Sequence, residues 1–266
     1  MRKFSPSSKI FIVAVVTIGA AVLVKGLIDW KASKPFEFLA LLSMTVIASR
    51  LRVKLPGING TMSVNVPFLL IVAVQLSSSQ ALAIAALASL VQSMPSTQWR
   101  TAPVQAIFNS ATITNAVAAA ALAFGFASQR GLVLPLSIAA AGIAFFFANT
   151  LPIAVVLWLA EGAAPVKTWR AMARLSIPYY ALSAGVAAVV CAATQFAVWG
   201  LSLALLPFMY FIYTSYRLYF ADRTVAEVQP VEAKPMARAV ASVSSAFGMT
   251  PSDTASGEAA SERRTS

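Results

Sequence analysis

Apolar residues follow one another in long runs between Ile10 and Phe220, and short polar gaps separate the runs. Crossing a bilayer core of about 30 Å takes roughly 20 helical residues. The runs are continuously apolar rather than alternating, which is typical of membrane helices and not of barrel strands. The pattern predicts an all-α, polytopic transmembrane helical bundle of about eight spans. Its runs cover residues 10–28, 36–49, 64–76, 81–94, 104–127, 132–160, 177–198 and 201–220.

Some of the runs have lengths that do not match a simple crossing. Residues 64–76 and 81–94 are short, and only Ser77-Ser78-Ser79-Gln80 joins them. They form either two spans or one re-entrant hairpin, which would leave six spans with the same orientation. Residues 132–160 would extend about 43 Å at 1.5 Å per residue. We expect tilt, or a kink at Pro152, to absorb this excess.

The charged residues lie in the gaps between runs and give the chain a direction. The formal net charge is +11, but only 11% of residues are charged, against about 25% in ordinary soluble domains. Charge that flanks spans orients a membrane protein and does not form the continuous basic face that nucleic acid requires. With the N-terminus inside, the outside holds only Lys25, Lys31, Lys34 and Arg130. The cytoplasmic segments collect Arg2, Lys3, Lys9, Arg50, Arg52, Lys54, Arg100, Lys167, Arg170, Arg174, Arg217 and Arg223.

Residue types needed for catalysis or metal binding are scarce. The chain has no histidine, its one cysteine is Cys191, and no phosphate-binding glycine loop, H-E-x-x-H or G-x-S-x-G motif occurs. The acidic residues before the tail are Asp29, Glu37 and Glu161, which form no pair within a run. We therefore expect neither an enzyme nor a bound metal or cofactor.

Residues 163–176 are too polar to span a membrane. Val166, Trp169 and Met172 recur at helical spacing, and basic residues occupy the other side. The pattern predicts a cytoplasmic interfacial helix whose membrane-interface residues are Lys167, Trp169, Arg170 and Arg174. A solvated loop with incidental charges is the alternative.

Polar side chains inside the spans are candidates for a binding site, because lipid does not satisfy them. Asn109 and Asn115 lie six residues apart and so on different faces of one helix, while Asn149 and Thr150 precede Pro152. A helix interrupted at that proline could line a cavity. Asn109, Asn149 and Thr150 are therefore the predicted ligand-binding residues. Alternatively, the two asparagines hydrogen-bond across helices and only stabilise the bundle.

The sequence divides into a transmembrane helical domain, residues 1–221, and a tail, residues 222–266. The tail carries 5 Lys/Arg and 6 Asp/Glu and is rich in Ala, Ser, Thr and Pro. Such a composition favours disorder, and the orientation above makes the tail cytoplasmic.

Several short motifs resemble the polytopic N-terminal membrane region of bacterial HD-GYP phosphodiesterase and diguanylate cyclase signalling proteins. They are Leu55-Pro56-Gly57, Thr61-Met62-Ser63-Val64, Phe108-Asn109, Asn149-Thr150-Leu151, Glu161-Gly162 and Trp169-Arg170, and the resemblance covers residues 36–220. It implies a sensor-like membrane region. Such regions normally precede an output domain, and this chain ends soon after its last predicted span, so we expect no cyclic-dinucleotide activity.

These expectations lead to two functional hypotheses. The first is an integral membrane sensor-like module of the bacterial inner membrane, with both termini cytoplasmic, that passes a ligand or membrane signal to a separate partner. The second is a small-solute transporter or the substrate-binding subunit of one. Both hypotheses make the lipid bilayer a partner and exclude nucleic acid.

Overall fold

The computed structural model describes residues 5–30, 34–54, 61–94, 103–162 and 164–194, together with Pro207, Tyr210, Phe211, Thr214 and Ser215. In these ranges the chain is helical, apart from two three-residue strands that pair with each other, β1 (Arg52–Lys54) and β2 (Thr61–Ser63). The helices are α1 (Pro6–Ile28), α2 (Pro35–Arg50), α3 (Val66–Gln75), α4 (Ser78–Ser93), α5 (Pro103–Gln129), α6 (Leu134–Glu161) and α7 (Pro165–Thr194). The predicted all-α class is confirmed.

Four of these helices, α1, α5, α6 and α7, are long and apolar enough to cross a membrane. Their outward faces carry large apolar side chains, such as Ile10 at 71% exposure, Phe126 at 60% and Val189 at 63%. A soluble monomer rarely leaves so much apolar surface in contact with water, whereas lipid solvates it. The helical membrane protein expected from the sequence is confirmed to this extent.

The number of crossings is not established by helix length. Helices α2 and α4 have 16 residues each and α3 has 10, against the roughly 20 that a simple crossing needs. The last predicted run, residues 201–220, and the tail lie almost entirely outside the described residues. The eight-span count therefore stays a prediction.

Helix α3 is the centre of the bundle. Each residue from Val66 to Ala73 is buried, and α2, α4, α5, α6 and α7 all pack against it. A helix that is apolar on every side is stable only when it is surrounded. Its ten residues would extend only about 15 Å, half of a bilayer core. Protein side chains rather than lipid surround this short segment.

Helix α1 contacts the bundle along one narrow stripe. Its buried residues are Ser8, Val15, Gly19 and Gly26, which recur on one face. A Cβ atom on Gly19 would lie 2.8 Å from the Cβ and 2.9 Å from the Cα of Ala111 on α5. Only glycine permits this approach of the two backbones, which is how helices associate closely in lipid.

Short connections fix the directions of the later helices. Residues 76–77 join α3 to α4, residues 130–133 join α5 to α6, and residues 162–164 join α6 to α7. Helices joined by so few residues pack antiparallel. Gly162 ends α6 at a φ of 69°, a left-handed conformation that glycine adopts without strain.

Two expectations about α6 and α7 need correction. Helix α6 continues through Pro152, so it is not interrupted there. Helix α7 continues through Pro178 and joins the predicted interfacial segment, residues 163–176, to the following span as one helix. Proline removes one N–H and so one hydrogen bond; both helices tolerate that loss, and the interfacial segment is not a separate helix.

The chain clusters into two compact units. All the helices above belong to the first unit, which comprises Met1–Val53 and Thr61–Tyr213. The second comprises Lys54–Gly60 and Thr214–Ser266, of which only Lys54, Thr214 and Ser215 are described. The boundary predicted at residue 221 stays a prediction.

Candidate functional site

Two of the predicted ligand-binding residues hydrogen-bond across the interface between α6 and α7. The Asn149 Nδ2 atom donates to the Tyr180 hydroxyl at 2.7 Å. The Thr150 hydroxyl donates to the Phe146 carbonyl oxygen at 2.7 Å and accepts from Trp169 Nε1 at 3.2 Å. The polar groups before Pro152 therefore bind to α7 and to their own helix.

Aromatic rings surround these hydrogen bonds. The Trp169 ring stacks on Phe147 with centroids 5.8 Å apart and an interplanar angle of 19°. The Phe146 ring meets the Tyr180 ring edge-on, with centroids 5.1 Å apart. Its centroid lies 6.3 Å from that of the Trp169 ring. Trp169 and Tyr180 are eleven residues apart, about three helical turns, so they lie on one face of α7 and bracket Phe146. We call Phe146, Phe147, Asn149, Thr150, Trp169 and Tyr180 the α6–α7 cluster.

The predicted interfacial residues divide between two sides of α7. Lys167, Arg170 and Arg174 are exposed, as the spacing predicts. Trp169 is half-buried, and its N–H donates to Thr150, so its membrane-interface role also stays a prediction. Val166, expected on the apolar side, is 57% exposed. A membrane-interface role for the three basic residues stays a prediction.

Asn109 is on another helix from the α6–α7 cluster. It lies half-buried on α5, next to the buried Phe108. The hydrogen bonds of the cluster within the described residues do not include it. The structure therefore brings together Asn149 and Thr150 but not Asn109, and binding at these three residues stays a prediction.

A second buried polar group lies where α2 ends and α3 begins. Asn65, only 2% exposed, donates from Nδ2 to the Ser49 hydroxyl at 2.9 Å. The Val66 N–H donates to the Tyr179 hydroxyl at 3.3 Å, so a tyrosine of α7 satisfies one of the unpaired N–H groups at the start of α3. The sequence signal for this site is Asn65 directly before Val66-Pro67, a helix-start pattern. The group is structural, because its atoms bond to one another.

A cavity of the described structure lies between α1, α4 and α5. It encloses about 810 Å³ at the end of the bundle where α1 ends and α4 begins. Most of the wall is aliphatic, with Val22, Leu82, Ala118 and Leu122 among its residues. A volume of this size lies within the range of small-molecule sites, roughly 300–1,000 Å³.

Polar groups line this cavity on two sides. Lys25 and Asp29 come from the last turn of α1, followed by Trp30, while Ser77, Ser78 and Ser79 form the start of α4. Ser77 is the N-cap of α4 and accepts from the Gln80 N–H. The sequence shows these residues only as the ends of apolar runs, and a lysine at the end of a span indicates no site because its side chain can snorkel to the headgroups.

An unsatisfied oxygen lies one turn from the cavity wall. Asn115 Nδ2 donates to the Val15 carbonyl oxygen at 3.3 Å, whereas Asn115 Oδ1 is buried without a hydrogen-bond partner within the described residues. Asn115 precedes Ala118 and Leu122 by three and seven residues, so all three share one face of α5. A buried acceptor without a partner is rare and indicates a site that an additional polar molecule can complete.

Neither metal chemistry nor a known family identifies the site. In the described ranges, no three His, Cys, Asp or Glu side chains are close enough to hold a metal ion. No protein-family model, curated protein or solved structure matches the chain. The functional argument therefore depends on the chemistry of the cavity and of the α6–α7 cluster.

Proposed function

We propose that this protein is a sensor-like module of the bacterial inner membrane that binds a small ligand in the cavity between α1, α4 and α5 and signals to a separate partner. The observation that carries the proposal is the cavity itself, about 810 Å³ with Lys25, Asp29 and three serines in an otherwise mainly aliphatic wall. Ligand sites in helical membrane proteins are typically built between helices in this way. The sequence resemblance to membrane regions of signalling proteins also supports the sensor role.

The orientation follows from the distribution of Lys and Arg. The N- and C-termini are cytoplasmic, so α1 ends on the outer side and the cavity lies near the outer surface. The crossings comprise α1, α2, α5, α6, α7 and the run at residues 201–220, together with α3 and α4 as a pair. Asn65 Nδ2 and Gln92 Oε1, 3.5 Å apart, join the open end of the α3–α4 hairpin, so the orientation is the same whether this hairpin crosses twice or re-enters.

Helix α7 is the route from the bundle to the partner. Its first turns carry Lys167, Arg170 and Arg174 at the cytoplasmic leaflet, where each basic residue contributes about 1 kcal/mol of attraction to anionic lipid. The same turns bind α6 through Trp169 and Thr150. A change in α6 is thus transmitted to a charged surface next to the cytoplasm.

Filling the cavity tests the proposal. Ala121 lines it, and Gly125 lies one turn further along α5, where an added Cβ atom would meet nothing within 4 Å. We expect Ala121→Trp to abolish ligand-dependent output in cells while Gly125→Trp, the matched control, leaves it near wild type. If Ala121→Trp gives a folded protein with normal output, the cavity is not the sensory site.

Transport is the second candidate, and the position of the cavity near the outer surface favours it as well. A solute-binding subunit also needs a small-molecule site that opens on that side. Proteoliposomes that contain the purified chain, with and without its genomic neighbour proteins, distinguish the two functions. Accumulation of solute inside the vesicles would replace the sensor assignment with transport.

A further inference from the structure

The two charged residues of the cavity have opposite signs and lie one turn apart. The Asp29 N–H donates to the Lys25 carbonyl oxygen at 3.0 Å, so the two side chains leave α1 on the same side of its last turn. Within the described residues, the one ion pair joins Lys34 to Glu37 at 3.1 Å. Lys25 and Asp29 therefore do not neutralise each other, and each can receive a group of opposite charge from a ligand.

The surroundings of the two charges suit two different groups. At the start of α4, the exposed Ser78 hydroxyl and the partial positive charge of the helix N-terminus both favour an anion near Lys25, while the Ser77 hydroxyl donates to Gln80 Oε1 at 3.1 Å. Next to Asp29, the Trp30 ring is 41% exposed and meets Phe38 edge-on at 5.9 Å. The face of an indole ring attracts an ammonium group.

The remaining wall is apolar and therefore favours an apolar group in the rest of the ligand. Val22 and Leu82 lie beside the charged end, and Val117, Ala118 and Ala121 continue along α5. An apolar group placed there would make van der Waals contacts with these side chains. A ligand with charge alone would leave this part of the cavity unused.

We propose that the cavity recognises a small zwitterion with an apolar portion, its anionic group at Lys25 and the start of α4 and its ammonium group at Asp29 and Trp30. This inference rests on the proposed function and names the ligand class for it. Two sources have this chemistry, a free α-amino acid with an apolar side chain and a lipid with an ethanolamine phosphate headgroup. Both place an anion and an ammonium group a few bonds apart.

Binding assays with single-group analogues test the zwitterion requirement. The full chain is placed in nanodiscs of phosphatidylglycerol and titrated by calorimetry with leucine, 4-methylpentanoate, which lacks the ammonium, and 3-methylbutylamine, which lacks the carboxylate. Dihexanoyl phosphatidylethanolamine and dihexanoyl phosphatidylglycerol form the lipid arm. We expect leucine or the ethanolamine lipid to bind, and each analogue without one of the charges to bind at least about tenfold more weakly.

Charge-removing variants assign each group to its residue. Lys25→Gln should weaken the zwitterion at least about tenfold and leave 3-methylbutylamine unchanged, and Asp29→Asn should weaken the zwitterion similarly and leave 4-methylpentanoate unchanged. Lys34→Gln is the matched control, since Lys34 is a nearby lysine outside the cavity and should not affect binding. Zwitterion binding that is unchanged in both cavity variants overturns the inference.

The failure of this inference and that of the proposed function give different results. If neither leucine nor the ethanolamine lipid binds at millimolar concentration, but Ala121→Trp still abolishes cellular output, the ligand class is wrong and the cavity remains the sensory site. If Ala121→Trp leaves output normal, the proposed function fails whatever the probes do. Binding of leucine alone or of the lipid alone identifies the source.

Discussion

The α6–α7 cluster and the cavity between α1, α4 and α5 both contain polar groups within an apolar bundle, but they use them differently. In the cluster, Asn149 and Trp169 donate to protein hydroxyls and the rings pack against one another. In the cavity, Lys25 and Asp29 form no ion pair within the described residues, and Asn115 Oδ1 lies nearby without a partner. Satisfied polar groups hold helices together, whereas the exposed charges of Lys25 and Asp29 and the buried acceptor of Asn115 are available to a ligand.

The comparison predicts that the cluster contributes stability that an outward-facing ring does not. Phe146 is 7% exposed and contacts Phe147, Trp169 and Tyr180. We expect Phe146→Ala to lower the free energy of unfolding in detergent by about 3–5 kcal/mol, because it removes a buried ring and leaves a void. Denaturant titration followed by circular dichroism measures the change.

A matched substitution on a lipid-facing surface is the control. Phe126 is 60% exposed on α5, and its ring lies 4.5 Å below the Arg130 guanidinium carbon. Phe126→Ala should cost no more than about 1 kcal/mol, since it loses only this contact. Equal costs for the two variants would show that the cluster is not a centre of stability.

Hydropathy accounts for part of this architecture and not for the rest. The apolar runs at residues 10–28 and 104–127 correspond closely to α1 and α5, because a single helix in lipid is recognised from its own composition. The continuity of α7 through Pro178 depends on whether neighbours tolerate one lost hydrogen bond, which no local pattern records. The enclosure of α3 likewise depends on five other helices.

The candidate sites likewise include residues that the sequence makes conspicuous and residues whose role depends on helix packing. Asn149 and Thr150 are conspicuous in sequence because they are polar within a run, yet their polar groups engage Tyr180 and Trp169. Lys25 and the serines of α4 are inconspicuous because they end their runs, yet they line the cavity. Which helix ends meet in space is a property of the packed bundle, so the cavity could not be read from the order of residues.

The basic residues at the start of α7 provide a second test of the comparison between the two regions. Lys167, Arg170 and Arg174 are exposed, while Trp169 packs on α6. Replacing the three basic residues with Gln should remove about 3 kcal/mol of attraction to anionic lipid, at about 1 kcal/mol each. We expect protease protection of residues 165–176 in anionic liposomes to fall in this variant.

Trp169→Ala separates charge from packing in the same assay. It keeps the three basic residues and removes the stacking on Phe147 and the hydrogen bond to Thr150. If the triple variant is protected as well as wild type and Trp169→Ala is not, α6 rather than lipid holds these turns. Protection that is the same in neutral and anionic liposomes would lead to the same conclusion.

A substitution at the contact between α1 and α5 tests whether the cavity needs close packing of these two helices. A Cβ atom on Gly19 would meet the Ala111 backbone at 2.9 Å, so Gly19→Leu must push α1 away from α5. We expect a loss of about 1–3 kcal/mol in the free energy of unfolding, together with loss of ligand binding. Gly125→Leu on α5 is the control because open space surrounds that glycine, and a similar loss there would mean that bulk alone is responsible.

The smallest expected effect is the coupling between Asn149 and Tyr180. Their hydrogen bond of 2.7 Å crosses two helices, and such bonds within membranes contribute on average about 0.6 kcal/mol, up to about 1.7. A double-mutant cycle uses Asn149→Leu, Tyr180→Phe and the combined variant. It isolates the coupling free energy between the two side chains from the packing that each substitution also changes. Unfolding titrations in one detergent measure all four proteins.

The cycle also decides whether Asn149 is structural or ligand-binding. A coupling near 0.6 kcal/mol with ligand-dependent output unchanged in Asn149→Leu means that the amide fastens α6 to α7. A coupling near zero together with loss of output means that Asn149 serves a ligand, and the contrast between the two regions would then disappear. Asn109→Leu, on a helix outside the cluster, should show no coupling to Tyr180→Phe, because the two residues share no contact through the cluster.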